Sequence, residues 1–250
     1  MNCYEITDLV VKYPFQDRPA LDSLSLQIRS GSFTVVLGAN GSGKSTLLKC
    51  LAGTQMWHSG TLFLNGITRS LDLPKFNADQ IHISEDIVLP NFSISNLVSL
   101  YQKFWPKFNI QMCEHILSLG SISLIKRPSQ LSRGQKILLQ FALGLATRST
   151  IVLVDEVTAA LDPYVRKKVI EELSRYQQEQ GATIVLATNI ASEVEEVDLD
   201  IILLKSGRVL MAGRASDIKK QFRENVKKLG ESELVTVEEI FAHFSGQGRE

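Results

Sequence analysis

Residues 33–51 read FTVVL, then GANGSGKST from Gly38 to Thr46, then LLKCL. An apolar run, a glycine-rich turn and a second apolar run predict a strand, a phosphate-binding loop and a helix in that order. Glycines allow the backbone to curve closely around an anion, and the positive end of the helix faces the same anion. The pattern predicts that Lys44 contacts the β- and γ-phosphates of a nucleotide and that the Ser45 hydroxyl binds Mg²⁺. The nucleotide contacts expected from this loop are Gly38, Asn40, Gly41, Ser42, Gly43, Lys44, Ser45 and Thr46.

A second motif lies at residues 151–156, where the apolar run IVLV is followed by Asp155 and Glu156. Such a run predicts a buried parallel strand. A carboxylate at the exit of that strand can hold Mg²⁺ opposite a phosphate loop, and its neighbour can polarise water for attack on the γ-phosphate. Together with the phosphate loop, the two acids predict nucleotide hydrolysis.

Composition and charge limit the class of protein. The 250 residues are 44% hydrophobic, which is ample for a buried core, and 27 basic side chains balance 27 acidic ones. A balanced charge gives no electrostatic reason to expect nucleic acid as a partner. The three cysteines (Cys3, Cys50 and Cys113) lack metal-type spacing, so we expect buried or incidental thiols in a reducing compartment. The four histidines share no motif, so we do not expect them to bind a metal.

The sequence also predicts a location. No apolar run approaches the roughly 18–20 residues that a membrane-spanning helix needs, and the N-terminus lacks the pattern of a signal peptide. We therefore expect a cytoplasmic protein, peripheral on the cytoplasmic face of the cell membrane, that reaches the membrane through a partner.

The remaining periodicities predict an α/β fold. A β-rich first part is followed by a helical middle and then by alternating buried strands and helices, the order typical of a parallel sheet. We predict strands over 4–13, 21–28, 33–37, 61–66, 151–154, 183–187, 201–204 and 209–211. Helices are predicted over 94–120 with a break at Pro106, over 133–146, and from Pro163 to about 178. In the tail, Phe222, Val226 and Leu229 form one helical stripe among lysines, which favours a solvated surface helix over a lipid-headgroup or partner-binding patch.

The run Leu131-Ser132-Arg133-Gly134-Gln135 ends 20 residues before Asp155 and resembles the signature motif of ATP-binding cassette (ABC) ATPases. Residues 160–162 resemble the D-loop of that family, and residues 198–209 resemble its final strands. Tyr13 falls where the family has an aromatic ring that stacks on adenine. The resemblance covers about residues 3–215 and includes several motifs in the family's order.

This resemblance implies a fold and a composite site. The fold would be a P-loop NTPase with a RecA-like parallel core, an N-terminal antiparallel β subdomain and a helical insertion at about 87–146. The ATPase domain would span 1–215, followed by a helical tail over 216–250. Family members hold two ATP molecules between two nucleotide-binding domains. The resemblance therefore assigns ATP contacts across that interface to Ser132, Gly134 and Gln135, Mg²⁺ to Ser45 and Asp155, general-base catalysis to Glu156, and coupling of the two sites to Asp162.

Three positions depart from the family pattern. Arg133 replaces a glycine, and it either adds positive charge near the partner's nucleotide or points into solvent, the more common environment of arginine. Glu85 replaces a glutamine, with Asp86 as an alternative register; its carboxylate can bind catalytic water or Mg²⁺ but adds negative charge near the γ-phosphate. This region of family members senses the membrane partner. Asn189 replaces the switch histidine, and an amide neither carries charge nor shuttles a proton, which predicts slow hydrolysis.

The leading functional hypothesis is the ATPase subunit of a transporter, resembling small bacterial exporter ATPases. Its expected cofactors are ATP and Mg²⁺, and its expected partners are a transmembrane permease subunit and a second nucleotide-binding domain, either identical or different. Two alternatives remain at this stage: a non-transport ABC ATPase that serves as an assembly factor, and a slowly hydrolysing regulatory module.

Overall fold

The computed structural model describes residues 2–68, 79–156, 160–194, 199–227 and 236–245. Its strands are β1 (Asn2–Val11), β2 (Leu21–Arg29), β3 (Phe33–Leu37), β4 (Ser59–Leu64), β5 (Ile67–Thr68), β6 (Gln80–Ser84), β7 (Ile151–Asp155), β8 (Thr183–Thr188), β9 (Asp200–Lys205) and β10 (Arg208–Arg214). Its helices are α1 (Lys44–Ala52), α2 (Ile94–Phe104), α3 (Ile110–Leu119), α4 (Arg133–Ala146), α5 (Pro163–Gln180), α6 (Ala215–Lys227) and α7 (Val237–Ser245). Asp198 and Leu229, each part of a predicted pattern, lie outside the described residues.

The first sheet is antiparallel, with the strand order β2-β1-β4-β5. The strand predicted over 4–13 ends earlier, at Val11, and it lies between β2 and β4 rather than at an edge. The N–H of Lys12 donates to Nδ1 of His58 (3.2 Å) instead of to a neighbouring strand, and Pro14 has no N–H to donate. Tyr13 therefore lies beyond the sheet, free to contact other elements.

The second sheet has the order β10-β9-β3-β8-β7-β6, in which the five strands from β9 to β6 are parallel and β10 is antiparallel. Leu37 pairs with Thr188, and Asp155 pairs with both Ser84 and Ala187. The carboxyl ends of β3, β6, β7 and β8 therefore meet at one edge, the usual position of a ligand site in an open parallel sheet.

Both faces of the parallel sheet are covered, which explains its continuously apolar strands. Every residue of β3, β7 and β8 is buried. Alternate side chains face opposite ways. Val36 and Leu153 pack with α1 and the antiparallel sheet, whereas Val35 and Val152 pack with the helical residues on the other side. The predicted α/β fold, with a parallel core sheet and an antiparallel N-terminal sheet, is confirmed.

Helices α2, α3 and α4 fill the sequence between β6 and β7. The break predicted at Pro106 is present, since α2 ends at Phe104 and α3 begins at Ile110. Helix α4 has the predicted bounds because Ser132 caps its start: the Ser132 hydroxyl accepts from the N–H of Gln135, and the Gln135 side chain accepts from the N–H of Ser132 (both 3.2 Å). The exact limits of the insertion remain a prediction.

The tail is helical, but it is not only a solvated surface. Ile218 of α6 and both Val237 and Ile240 of α7 are buried in the main core, and Phe222 packs against it. The sequence prediction underestimated this packing because the spacing of apolar residues along a helix does not show which other element covers them. Within the described part of the chain, no helix combines the length and apolar character needed to cross a membrane.

Candidate active site

A cleft of about 880 Å³ opens beside the phosphate loop at the carboxyl edge of the parallel sheet. That volume lies within the range typical of small-molecule sites. The cleft is lined by Tyr13, Gln16, Arg18, Pro19, Ala20, Asp22, Asn40, Gly41, Gly43, Lys44, Ser45, Thr46, Glu156, Ser206 and Arg208. Seven of the sequence-predicted nucleotide contacts are in this set (Tyr13, Asn40, Gly41, Gly43, Lys44, Ser45 and Thr46), together with the predicted base Glu156.

The phosphate loop is held in shape from within. Lys44 is the first residue of α1 and only 2% of its side chain is exposed. Its ammonium group donates to the carbonyl oxygens of Gly38 (2.7 Å) and Ala39 (3.0 Å) and lies 2.6 Å from a carboxylate oxygen of Glu156. Gly43, at φ +107°, caps α1 without any side-chain hydrogen bond. The amide groups at the start of α1 are therefore available for an anion.

Gly38 and Gly43 also permit the close approach of neighbouring atoms. A Cβ atom at Gly43 would lie 2.6 Å from the carbonyl oxygen of Ala20, and one at Gly38 would lie 2.3 Å from the Ser42 hydroxyl oxygen. The Ser42 side chain is buried, its N–H donates to the carbonyl oxygen of Ala39 (3.0 Å), and Ser42 is not in the cleft lining. These contacts explain why glycine is required at positions 38 and 43 for packing as well as for ligand access.

The predicted metal ligands are already together. The Ser45 hydroxyl donates to a carboxylate oxygen of Asp155 (2.8 Å). Burial raises the pKa of Asp155; the hydrogen bond from Ser45 opposes that shift, and the charge of Glu156 adds to it. A hydroxyl and a carboxylate are the hard oxygen donors that Mg²⁺ prefers, and Mg²⁺ takes few protein ligands when phosphates supply the rest. This donor set fits Mg²⁺, and among the described residues no cluster of three His, Cys, Asp or Glu forms a closed metal site.

Glu156 stands directly over the phosphate loop. It follows β7 with a left-handed φ of +51°, and its N–H donates to the carbonyl oxygen of Ala187 (3.0 Å). A non-glycine residue in this conformation is held there by its surroundings. The turn directs the carboxylate toward Lys44, where it borders the cleft and can reach a water beside a bound γ-phosphate.

Tyr13 and Asn189 approach the loop from opposite directions. The Tyr13 hydroxyl lies 3.3 Å from the Thr46 hydroxyl, so the ring borders the mouth of the cleft. Asn189 directly follows β8, and its amide donates to the Asn40 side chain (3.2 Å). Each side chain therefore contacts a residue of the phosphate loop, while its role toward a nucleotide stays a prediction.

Glu85 and Asp86 directly follow β6, and neither is in the cleft lining. Asp86 pairs with Lys49 (2.8 Å), and that hydrogen bond lowers the pKa of Asp86 and raises the pKa of Lys49. The Glu85 carboxylate pairs with the guanidinium of Arg133 (2.6 Å). The Arg133 side chain is 71% exposed, in line with the favoured solvent-facing position, and its guanidinium also pairs with Glu85 within the chain.

The signature segment lies apart from the cleft of its own chain. Ser132, Gly134 and Gln135 form the first turn of α4, and none of them is in the cleft lining given above. A Cβ atom at Gly134 would lie 3.2 Å from the carbonyl oxygen of Ala160, so α4 closely approaches the segment before Asp162. Asp162 caps α5 by accepting from the N–H of Val165 (3.1 Å).

The cleft also contains cationic groups that the sequence prediction missed. Arg18 and Arg208 line it, and Arg208 pairs with Asp22 (2.7 Å). Arg208 lies in the run that resembles the family's final strands, and Arg18 lies five residues after Tyr13. Their positions in the sequence, close to two predicted motifs, could have suggested that Arg18 and Arg208 lie near the site. Their spacing, however, did not indicate that β10 and the segment before β2 meet.

Comparison with known proteins gives a consistent family. The family model described as ABC transporter matches residues 21–159. A phosphonates import ATP-binding protein of Bdellovibrio bacteriovorus is 30% identical over 222 residues, which is 81% of this chain and 85% of that protein. A methionine import ATP-binding protein of Bartonella henselae is also 30% identical, over 80% of this chain and 61% of that protein, so the chain spans under two thirds of this longer relative.

A solved structure agrees with the fold. The ATP-binding subunit of an ABC transporter superposes with a TM-score of 0.76 at 24% identity, covering 88% of this chain and 93% of that one. The family model includes both the phosphate loop and the carboxyl end of β7. This chain belongs to the ABC transporter family.

Proposed function

We propose that this chain is the ATP-hydrolysing subunit of a transporter and that it energises a separate transmembrane permease. The observation that carries the proposal is the convergence of Lys44, the Ser45–Asp155 pair and Glu156 on one cleft. Import ATP-binding proteins among its relatives support the transport role, and family membership supports ATPase activity.

The residues of the cleft divide the chemistry among them. Lys44 and the amides at the start of α1 bind the phosphates, and Tyr13 packs against the base. Ser45 and Asp155 would hold Mg²⁺, which neutralises charge on the β- and γ-phosphate oxygens when bound. Glu156 accepts the proton of the attacking water. Binding of the γ-phosphate at Lys44 competes with the Lys44–Glu156 ion pair and so frees the Glu156 carboxylate to act as a base.

A second copy, or a related subunit, completes the site. The proposal is supported by the separation of Ser132 and Gly134 from the cleft of their own chain, which leaves these groups able to contact a nucleotide held by another chain. ATP then bridges two surfaces, and hydrolysis removes the bridge. Such a ligand shifts a two-state equilibrium between associated and separated subunits.

The permease is proposed to contact an exposed apolar patch beside Glu85. Backbone hydrogen bonds from Ile94 and Ser95 to the carbonyl oxygens of Lys126 and Leu124 bring two segments side by side. Together these segments expose Ile87, Val88, Phe92, Leu124 and Ile125. A contiguous apolar surface of this kind is typical of a protein contact site.

Hydrolysis is proposed to be slow because Asn189 replaces a histidine. The amide of Asn189 lies beside the phosphate loop, where it can donate to the γ-phosphate but cannot supply a charge. Loss of a charge-assisted contact in the transition state costs about 1.5–3 kcal/mol, or roughly ten- to hundredfold in rate.

The substitution Asn189→His tests this rate directly. It should raise the steady-state rate of phosphate release by about tenfold or more, since an imidazolium restores the charged contact. Asn189→Ala is the matched control and should lower the rate further. A His variant that is no faster than the unmodified chain would refute the slow-hydrolysis proposal.

Co-purification tests the transport role. The tagged chain should extract with an integral membrane protein from detergent-solubilised membranes, and recovery without any membrane protein would favour an assembly factor.

Single-turnover hydrolysis then tests catalysis. The unmodified chain should cleave bound ATP within the measurement, whereas Glu156→Gln should not, and equal rates would favour a regulatory ATP-binding module.

A further inference from the structure

Two of the three departures from the family pattern contact each other. Glu85 lies at the exit of β6 and Arg133 is the first residue of α4, 48 positions later. One guanidinium nitrogen of Arg133 donates to both carboxylate oxygens of Glu85 (2.6 Å each), and Nε donates to one of them (3.1 Å). This forked geometry is the specific pairing of arginine with a carboxylate. Neither the glutamine nor the glycine of the usual pattern could form it.

Helix α4 also contacts the end of β6 and the residues after it through a second side chain, Gln140. Gln140 lies seven residues after Arg133, about two helical turns away and on the same face. Its buried side chain accepts from the N–H of Ser84 (3.3 Å) and donates to the carbonyl oxygen of Ile87 (3.4 Å). Four residues further on, a Cβ atom at Gly144 would lie 2.9 Å from Ile81. One face of α4 therefore contacts β6 and the 84–87 segment along its length.

The ion pair connects two surfaces with different partners. On one side, Glu85 precedes the exposed Ile87 and Val88 of the proposed permease patch. On the other side, Arg133 stands between Ser132 and Gly134, the groups that would contact ATP held by a second chain. A displacement of the 85–92 segment is transmitted to Ser132 because a charged, two-point contact resists independent movement of its ends.

We propose that Glu85 and Arg133 form a positioning pair that couples the permease-facing segment to the signature segment. This assigns to Glu85 a role different from the water or Mg²⁺ binding expected from the sequence. The inference rests on the proposed function, since it requires that Ser132 completes an ATP site in another subunit. Exposed ion pairs contribute little to folding stability, so the pair should control geometry and association while leaving stability nearly unchanged.

A charge-swap experiment in the full-length chain tests the pair. Glu85→Gln and Arg133→Gln each remove it, and the double variant Glu85→Arg with Arg133→Glu rebuilds it with reversed charges. All are placed in a Glu156→Gln background, and association in Mg·ATP is measured by sedimentation. We expect each single variant to weaken association by about three- to tenfold and the swap to recover most of the loss. Glu171→Gln is the control, because it removes the similarly exposed Lys168–Glu171 pair on α5 and should change nothing.

Hydrogen exchange provides a readout independent of ATP. In the nucleotide-free chain, the amides of residues 85–92 should exchange faster in each single variant and return to the original rate in the swap, while the unfolding temperature stays constant. Unchanged exchange in the single variants, or a swap that fails to restore it, would overturn the positioning pair. Failure of the Glu156→Gln parent to associate in Mg·ATP would instead count against the proposed function. In that case the hydrogen-exchange rates would still test whether Glu85 and Arg133 form a positioning pair.

Discussion

The starts of α1 and α4 present two solutions to the same problem, the unpaired N–H groups at the beginning of a helix. At α1, Gly43 offers no side-chain cap, and the side chain of Lys44 is nearly buried beneath the loop. At α4, the Ser132 hydroxyl and the Gln135 side chain cap the helix reciprocally, and Arg133 is 71% exposed. The start of α1 has no side-chain cap, so its N–H groups can bind an anion. The start of α4 is capped by its own side chains, and Arg133 beside the cap is exposed.

This difference indicates which half of the proposed two-chain ATP site is formed within a single chain. The α1 half contains the Lys44–Glu156 ion pair and the Ser45–Asp155 hydrogen bond, so its geometry is preorganised without a partner. In the α4 half, Ser132 and Gln135 cap each other, and the proposed nucleotide contact forms only when a second chain supplies the nucleotide. Variants at the two helix starts should therefore fail in different ways.

The largest effect is expected from Lys44→Met, which keeps the side-chain length but removes the charge from the enclosed half. Phosphate release should fall by about a thousandfold or more, and Mg·ATP affinity should fall with it, because a buried cation contacts the phosphates directly. Calorimetric titration and steady-state hydrolysis measure the two effects. Lys168→Met on α5 is the control, and retention of a tenth of the normal activity by Lys44→Met would contradict this account.

A smaller and more selective effect is expected from Ser132→Asp in the outward-facing half. Aspartate caps a helix as well as serine does, so folding should be preserved, but its charge repels the phosphate of a partner's nucleotide. Hydrolysis should fall by about a hundredfold while the Mg·ATP affinity of the separated subunit changes less than about twofold. Ser93→Asp at the cap of α2 is the control. Equal losses of affinity and hydrolysis would place Ser132 in the cleft of its own chain.

The smallest effect is expected at the rim of the enclosed half, from Tyr13→Ala. Loss of base stacking should weaken ATP binding by about tenfold, within the range of roughly 1–3 kcal/mol per stacked base. Tyr13→Phe should bind nearly normally, because the ring is kept and only the contact with Thr46 is lost. Inorganic tripolyphosphate, which has no base, should bind both variants equally well, and a loss of its affinity in Tyr13→Ala would argue against stacking.

Local patterns explain most of what could be predicted. The bounds of α4 were predicted from its helical pattern, and the break near Pro106 followed from the restricted geometry of proline. Predictions that depended on distant neighbours were less accurate. Strand β1 ended before Tyr13 because of His58, and the tail packed on the core although its sequence favoured a solvated surface helix.

The sequence by itself determined the chemical groups of this protein: a glycine-rich phosphate loop, an acidic strand exit and a signature segment are readable because each depends on residues a few positions apart. Tertiary structure alone decided which groups meet. The parallel register brings Gly38, Asp155 and Asn189 to one edge, and the packing of α4 on β6 brings Arg133 to Glu85. Such contacts depend on long-range strand order and helix packing, which no local spacing encodes.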